Sequence, residues 1–174
     1  NCTASVEKAQ CRIWAPTQGA TTFQMVAAEL TGLPPEKVEV NILPAGGGFG
    51  LRGEAAHVAD AVLLSKALNR PVKAMYTRED DFANDYFRPA SRSHIKAGLN
   101  QDGGLVGWSH KVAAPSVWAR LAPQMVKDGV CPDAVSGTRD MPYSLPNHLV
   151  DYVMVNLPIP VGFWRSVGFS VNAF

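Results

Sequence analysis

The sequence is poor in charged residues, has few cysteines and contains no long apolar run. Charged residues make up 18% of its 174 residues, and 16 basic residues against 15 acidic ones leave a net charge of +1. No five consecutive residues are all lysine or arginine, so the chain lacks the basic patch typical of nucleic-acid binding. The most apolar stretch, residues 153–164, contains an asparagine and two prolines, whereas a membrane span needs about 20 mostly apolar residues. Neither nucleic acid nor a membrane span is predicted.

The cysteines and histidines form no recognisable ligand pattern. Cys2, Cys11 and Cys131 are odd in number and have no CxxC spacing, which argues against a disulfide framework and a zinc ribbon. The four histidines, at positions 57, 94, 110 and 148, show neither HxH nor HExxH pairing, the spacings expected of zinc ligands. We therefore expect unreactive thiols and no metal held by protein side chains.

The apolar periodicity predicts short strands interspersed with helices. The 15 glycines and 13 prolines argue against a long helical bundle. Segments in which apolar and polar residues alternate, or that are rich in residues with high strand propensity, predict strands. Segments in which apolar residues recur every three to four positions predict helices. The predicted strands are residues 3–6, 11–14, 38–42, 72–76, 95–99, 106–112 and 150–155. The predicted helices are residues 21–30 and 54–68, with a further start after residue 163.

This order of elements predicts an α+β fold. We expect a two-layer α/β sandwich in which helices pack on one face of a mixed sheet. Residues 1–112 are predicted to form a first α/β unit, residues 113–149 an irregular excursion with one short helix, and residues 150–174 the start of the next unit. Long loops of this kind commonly cover a site or a partner. The chain does not begin with methionine, and we expect it to be part of a longer protein.

A glycine-rich segment between a predicted strand and a predicted helix is the strongest local signal. Consecutive glycines let backbone amides approach an oxyanion or phosphate without obstruction by Cβ atoms. The segment consists of Gly46, Gly47, Gly48, Phe49 and Gly50. It lacks the ending of a P-loop and the GxGxxG spacing of a dinucleotide fold. A tight turn is the alternative, but the aromatic ring of Phe49 favours a site, since it could pack on a flat cofactor or substrate.

Two polar residues elsewhere are further candidates for binding. Gln18 follows Thr17, a typical helix N-cap, and its amide both donates and accepts hydrogen bonds. Arg165 lies among aromatic residues and glycines, which suits the binding of a planar anionic group by a forked donor. Taken singly, Gln18 indicates only a helix start, and a surface arginine beside a buried aromatic pair is the favoured interpretation of Arg165.

Together these segments resemble the molybdenum-cofactor-binding subunit of the xanthine oxidase family. The resemblance runs the whole length of the chain. Within the family, the chain most resembles the large subunit of isoquinoline 1-oxidoreductase-type hydroxylases and related aldehyde dehydrogenases. The segments that carry it are Asn1–Ala4, Trp14–Gln18, Gly46–Gly50, Tyr86–Ala90 and Pro160–Gly168.

The resemblance implies a molybdopterin cofactor with molybdenum, and the narrower subgroup favours its cytosine dinucleotide form. It implies that Gln18 hydrogen-bonds an oxygen ligand of molybdenum, that the backbone around Phe49 and Gly50 lines the same side of the metal, and that Arg165 helps to hold the pterin. The implied cofactor-binding residues are Gln18, Gly46, Gly47, Gly48, Phe49, Gly50 and Arg165.

The implied reaction is hydroxylation of an N-heterocycle such as isoquinoline, or oxidation of an aldehyde, with water as the oxygen source. The implied partners are the rest of the large subunit and a small subunit whose 2Fe-2S centres accept the electrons. The family's catalytic glutamate comes far downstream, so we expect it beyond residue 174 and predict no catalytic residue here. Glu54 is interpreted as an acidic residue in the first turn of a helix, where its charge interacts favourably with the helix dipole. Phe169 stands where relatives commonly have histidine.

Two other hypotheses remain at this point. The chain could be a non-catalytic scaffold that keeps the fold without the cofactor, or an unrelated phosphate- or nucleotide-binding domain that uses only the glycine segment. Gln18 and Arg165 distinguish these hypotheses, because their substitution weakens pterin binding only under the first one.

Overall fold

The computed structural model describes residues 1–173, which divide into two compact units, residues 1–85 and the residues from Tyr86 onward. Each unit contains one mixed sheet and a small number of helices, so the predicted α+β class is confirmed. The boundary between the two compact units lies between residues 85 and 86. The boundaries predicted at residues 112 and 149 concern parts of a longer domain and stay a prediction.

The first unit is a four-stranded sheet with helices. Its elements are β1 (Cys2–Val6), β2 (Cys11–Ala15), α1 (Ala20–Thr31), β3 (Val38–Ile42), α2 (Ala56–Leu68), β4 (Val72–Ala74) and α3 (Arg78–Asn84). The strand order is β3-β2-β1-β4. Strands β2 and β3 are parallel, and the other pairs are antiparallel. Every second residue of β2 is buried, which explains the alternation in the sequence.

Helices α1 and α2 provide the second layer of this unit. Their apolar faces and the inner face of the sheet form one buried cluster. Its members are Cys2, Ala4, Cys11, Ile13, Ala15, Phe23, Ala27, Ala28, Val38, Val58, Ala61 and Val62. Helix α1 ends at Gly32, whose φ of 77° closes the helix in the left-handed conformation. The core thus fixes the strand ends from which the candidate site begins.

The second unit is a three-stranded sheet with irregular segments between β6 and β7 and after β7. Its elements are β5 (Arg92–Leu99), β6 (Leu105–Ala114), α4 (Trp118–Leu121), β7 (His148–Met154) and α5 (Phe169–Asn172). The strand order is β5-β6-β7, with β5 antiparallel and β7 parallel to β6. No helix within residues 1–173 has the length and apolar character needed to cross a membrane.

Three local details differ from the sequence-based expectations. The N-cap of α1 is Gly19 and not Thr17. The Thr17 hydroxyl accepts a hydrogen bond from the Gly19 N–H, in the turn that precedes the helix. Helix α2 begins at Ala56, so Glu54, which is only 2% exposed, precedes the helix. Helix α3 was not expected.

Candidate functional site

The parallel pair β2 and β3 brings two of the predicted binding segments to the same edge of the first sheet. Ala15, the last residue of β2, pairs with Ile42, the last residue of β3. The Leu43 N–H continues the ladder by donating to the Ala15 carbonyl at 3.1 Å. Because parallel strands end at the same edge, the Gln18 turn and the glycine segment begin side by side.

The Gln18 turn is fixed to Arg52, two positions after the glycine segment. The Gln18 N–H donates to the Arg52 carbonyl at 3.0 Å, and the Thr17 hydroxyl donates to the same carbonyl at 3.4 Å. The Thr17 hydroxyl also accepts from the Gly19 N–H at 2.9 Å. A Cβ atom on Gly48 would lie 3.0 Å from Oε1 of Gln18. The exposed Gln18 amide therefore rests directly against the glycine backbone.

The glycine segment has a backbone that few residue types can adopt. Gly47 and Gly50 have φ values of 148° and 100°, and Phe49 has a φ of 50°, which is uncommon outside glycine. A Cβ atom on Gly47 would lie 2.7 Å from the Phe49 ring, and no atom of the described part of the chain lies within 4 Å of one on Gly46. The Phe49 ring is 76% exposed. The segment thus presents open backbone beside an exposed aromatic ring.

Arg165 lies in the second unit, in the turn before α5. Its side chain is exposed, and its carbonyl accepts from the Ser170 hydroxyl at 2.9 Å. Beside the turn, Phe163, Trp164 and Val167 help to line an apolar cavity of about 40 Å³. That volume holds a few water molecules and is too small for an aromatic ring. Within its own unit, Arg165 is therefore an exposed cationic group on a turn beside this cavity.

His57 is a buried histidine in the first turn of α2, close after the glycine segment. It is 3% exposed, and its ring meets the Phe23 ring edge-on at 5.3 Å. Among residues 1–173, neither ring nitrogen has a hydrogen-bond partner. Burial lowers the pKa of His57 from 6.5 to about 4, and the positive charge of Arg52 acts in the same direction. The imidazole is therefore neutral at pH 7.

The cysteines have the unreactive character that the sequence predicts. Cys2, Cys11 and Cys131 are unpaired and buried. Burial raises the pKa of Cys2 and of Cys11 to about 11, so their nucleophilic thiolate forms are scarce at neutral pH. Among residues 1–173, no group of three or more histidine, cysteine or acidic residues is placed to hold a metal ion.

Sequence reasoning missed two arginines that organise the candidate segments. Arg52 acts through its backbone carbonyl, for which no sequence signal exists. Arg120 contacts Val161, 41 positions away, through its side chain. Only the tertiary structure reveals either role.

Comparison with known proteins gives a consistent result. A family model described as the molybdopterin cofactor-binding domain matches residues 1–171. The isoquinoline 1-oxidoreductase subunit beta of Brevundimonas diminuta is 32% identical over 163 residues, which cover 92% of this chain and 21% of that protein. Among solved structures, quinoline 2-oxidoreductase from Pseudomonas putida 86 gives a TM-score of 0.75 at 23% identity, over 97% of this chain and 22% of that one. Aldehyde oxidoreductase from Desulfovibrio gigas gives a TM-score of 0.76 at 19% identity, over 98% and 18%.

These similarities differ in what they establish. The two solved structures are less than 25% identical to the chain and support the fold. The chain spans about a fifth of the length of these relatives. The family model, in contrast, covers nearly the whole chain.

Proposed function

Because the chain belongs to the molybdopterin cofactor-binding domain family, we propose that it forms the cofactor-binding portion of a molybdenum hydroxylase. The residues proposed to hold the cofactor are Gln18, Gly46, Gly47, Gly48, Phe49, Gly50 and Arg165. Family membership removes the hypothesis of an unrelated phosphate- or nucleotide-binding domain. The scaffold hypothesis becomes an outcome of the test below.

The contact between the Gln18 amide and the glycine backbone is the observation that carries this proposal. The Gln18 side chain is exposed, while its backbone is fixed by the Arg52 carbonyl. Its amide N–H groups can donate to an oxygen atom of a bound group, and the amides of the glycine segment can receive an anionic oxygen at the same edge. A Cβ atom on Gly48 would fill the space beside the Gln18 amide. The residues present therefore fit a cofactor that carries oxygen ligands.

Arg165 has the chemistry that a pterin or its phosphate requires. Its guanidinium is planar, permanently charged and exposed, so it can form two parallel hydrogen bonds to one anionic or heterocyclic edge. In this proposal Gln18 and the glycine segment orient the cofactor near its metal, and Arg165 holds its organic part. We assign no catalytic residue to this chain.

The proposed reaction follows from the relatives to which the chain is similar. The cofactor, when bound, supplies the oxidation of an electron-poor carbon in an N-heterocycle or an aldehyde, with water as the source of oxygen. In this proposal a partner subunit would carry 2Fe-2S clusters that accept the electrons, and the rest of the large subunit would complete the site. We propose the cytosine dinucleotide form of the cofactor on the basis of the narrower subgroup.

The test measures cofactor in the full-length protein that contains this chain, produced in a host that makes molybdopterin. Molybdenum per protein is determined by elemental mass spectrometry, and the released pterin and nucleotide by chromatography. We expect Gln18→Glu, which keeps the shape but removes the amide donor, and Arg165→Met to reduce occupancy severalfold. Gln101→Glu, in an exposed turn, and Arg139→Met, which breaks an exposed pair with Asp140, are the matched controls.

Each outcome of this test distinguishes between the hypotheses. Released cytidine monophosphate supports the dinucleotide form, and pterin without a nucleotide contradicts it. Unchanged occupancy in both site variants argues against the proposed residues. A folded wild-type protein without metal or pterin supports the scaffold hypothesis.

A further inference from the structure

The turn that carries Arg165 has a backbone conformation that side chains rarely adopt. Ser166 has a φ of 67° and Val167 a φ of 46°, and this region is especially unfavourable for a β-branched residue. Within the turn, the Val167 N–H donates to the Trp164 carbonyl and the Phe169 N–H to the Ser166 carbonyl, both at 3.0 Å. Strained backbone persists only where the surrounding structure fixes it. The contacts around the turn therefore determine the direction in which Arg165 leaves it.

The irregular segment between β6 and β7 fixes the downstream side of the turn. A Cβ atom on Gly168 would lie 1.8 Å from the Asp133 carbonyl oxygen, so these two backbones are in direct contact. The Asn172 amide donates to the Ala134 carbonyl at 2.7 Å and to the Ser136 carbonyl at 2.9 Å. These contacts fix the chain after Arg165 and leave the chain before it to be fixed by other residues.

Arg120 holds the upstream side. The Phe87 N–H donates to the Pro160 carbonyl at 2.8 Å, and the Gly162 N–H donates to the Phe87 carbonyl at 3.0 Å. Between these two bonds lies Val161, which is 7% exposed. Its carbonyl accepts from Nε of Arg120 at 3.1 Å and from Nη2 at 3.0 Å. The guanidinium thus fixes the backbone four positions before Arg165.

A second contact orients the Arg120 guanidinium itself. Its Cζ lies 4.0 Å from the centroid of the Tyr86 ring, which is within the range of a cation–π interaction. The planar fork allows Arg120 to lie over the ring and donate two hydrogen bonds to one carbonyl, whereas a lysine at this position keeps only the charge and a flexible donor. Arg120 therefore connects α4, the Tyr86 segment and the chain leading to Arg165.

We propose that Arg120 is a positioning residue, which sets the direction of Arg165 toward the molybdopterin cofactor. The inference rests on the proposed function, since it needs Arg165 to hold that cofactor. Arg120 does not touch the cofactor in this scheme. It acts by holding the Val161 carbonyl, so that the strained turn presents the Arg165 guanidinium in one orientation.

The experiment combines hydrogen exchange with a double-mutant cycle in the full-length protein. Amide exchange over residues 160–168 is measured by mass spectrometry, and release of molybdopterin is timed after dilution. We expect Arg120→Met, which removes both charge-assisted hydrogen bonds to the Val161 carbonyl, to speed both processes by about ten-fold or more. Arg120→Lys, which keeps the cation over Tyr86, gives a smaller increase and is the second variant if Arg120→Met folds poorly. Arg139→Met is the surface control.

The cycle separates positioning from general structural support. If Arg120 acts through Arg165, then Arg120→Met does not speed cofactor release further in an Arg165→Met background. Additive effects in the double variant, or unchanged exchange and release in Arg120→Met, overturn the inference. A wild-type protein without cofactor, or an Arg165→Met variant with unaltered release, instead refutes the proposed function and removes the role of Arg120 with it.

Discussion

Replacement of His57 by leucine is expected to change the pH dependence of stability. His57 has an ordinary pKa of 6.5 and a pKa of about 4 in the folded chain, where burial is the main cause. Below pH 6.5 the unfolded chain binds a proton that the folded chain does not bind. The stabilisation is therefore fully present above pH 6.5 and is lost as the pH falls toward 4. The gap between the two pKa values corresponds to about 3 kcal/mol.

This magnitude is a large part of the stability of an ordinary domain, which is about 5–15 kcal/mol. We therefore expect the free energy of unfolding of the wild type, relative to His57→Leu, to fall by about 3 kcal/mol between pH 7 and pH 4. Carboxylates that titrate in this range are common to both proteins and cancel in the difference. Leucine has a similar size and no proton to gain.

Urea unfolding at several pH values, followed by circular dichroism, measures this difference. His94→Gln, which alters an exposed histidine, is the control and should retain the wild-type profile. A histidine titration followed by NMR gives the pKa of His57 directly. Parallel stability profiles for the wild type and His57→Leu, or a measured pKa between 6 and 7, would refute the reasoning.

Two further substitutions test the packing of each unit. Gly168→Ala should destabilise the second unit by about 3 kcal/mol or more, because its Cβ atom would lie 1.8 Å from the Asp133 carbonyl oxygen; urea unfolding measures this, and Gly98→Ala, with ordinary spacing, is the control. Thr77→Ala should lower the stability of the first unit by about 1 kcal/mol, since the Thr77 hydroxyl accepts from the Asp80 N–H at 3.2 Å. Thr77→Ser should restore the wild-type value, and an equal loss in both Thr77 variants would contradict the capping role.

The elements of the first unit could be predicted from the sequence because local pattern and burial agree there. The alternation in β2 follows from one buried face, and α1 ends at the glycine that closes it. In β3 only Val38 is buried, and Ile42 at the strand end is 63% exposed, so the alternation there predicted the strand but not its burial. Helix α3 was missed although it carries a readable signal. Thr77 and Asp80 form a capping box at its start, a spacing that indicates a helix even without an apolar stripe.

The sequence could propose residues for the candidate site, but it could not reveal the contacts that hold them in place. Gln18 and the glycine segment were singled out by residue type and by the family resemblance, and the parallel strands bring them together. Arg120 carries no local signal, because its partner is 41 positions away and is a backbone carbonyl. The excursion after β6 was expected to cover a site or a partner, and within its own unit it supports the Arg165 turn.

Because β2 and β3 pair in parallel, the geometry of the candidate site does not depend on the length of the connection between these two strands. The Gln18 turn and the glycine segment start from paired strand ends, so α1 and the chain that follows it only need to bridge the two strands. Insertions between Gly32 and Lys37 should therefore leave the contact between Gln18 and Gly48 in place. A single residue added within 16–19 or 43–48 should separate them. This difference defines where the domain can accept a label, a tag or a foreign loop without loss of its binding edge.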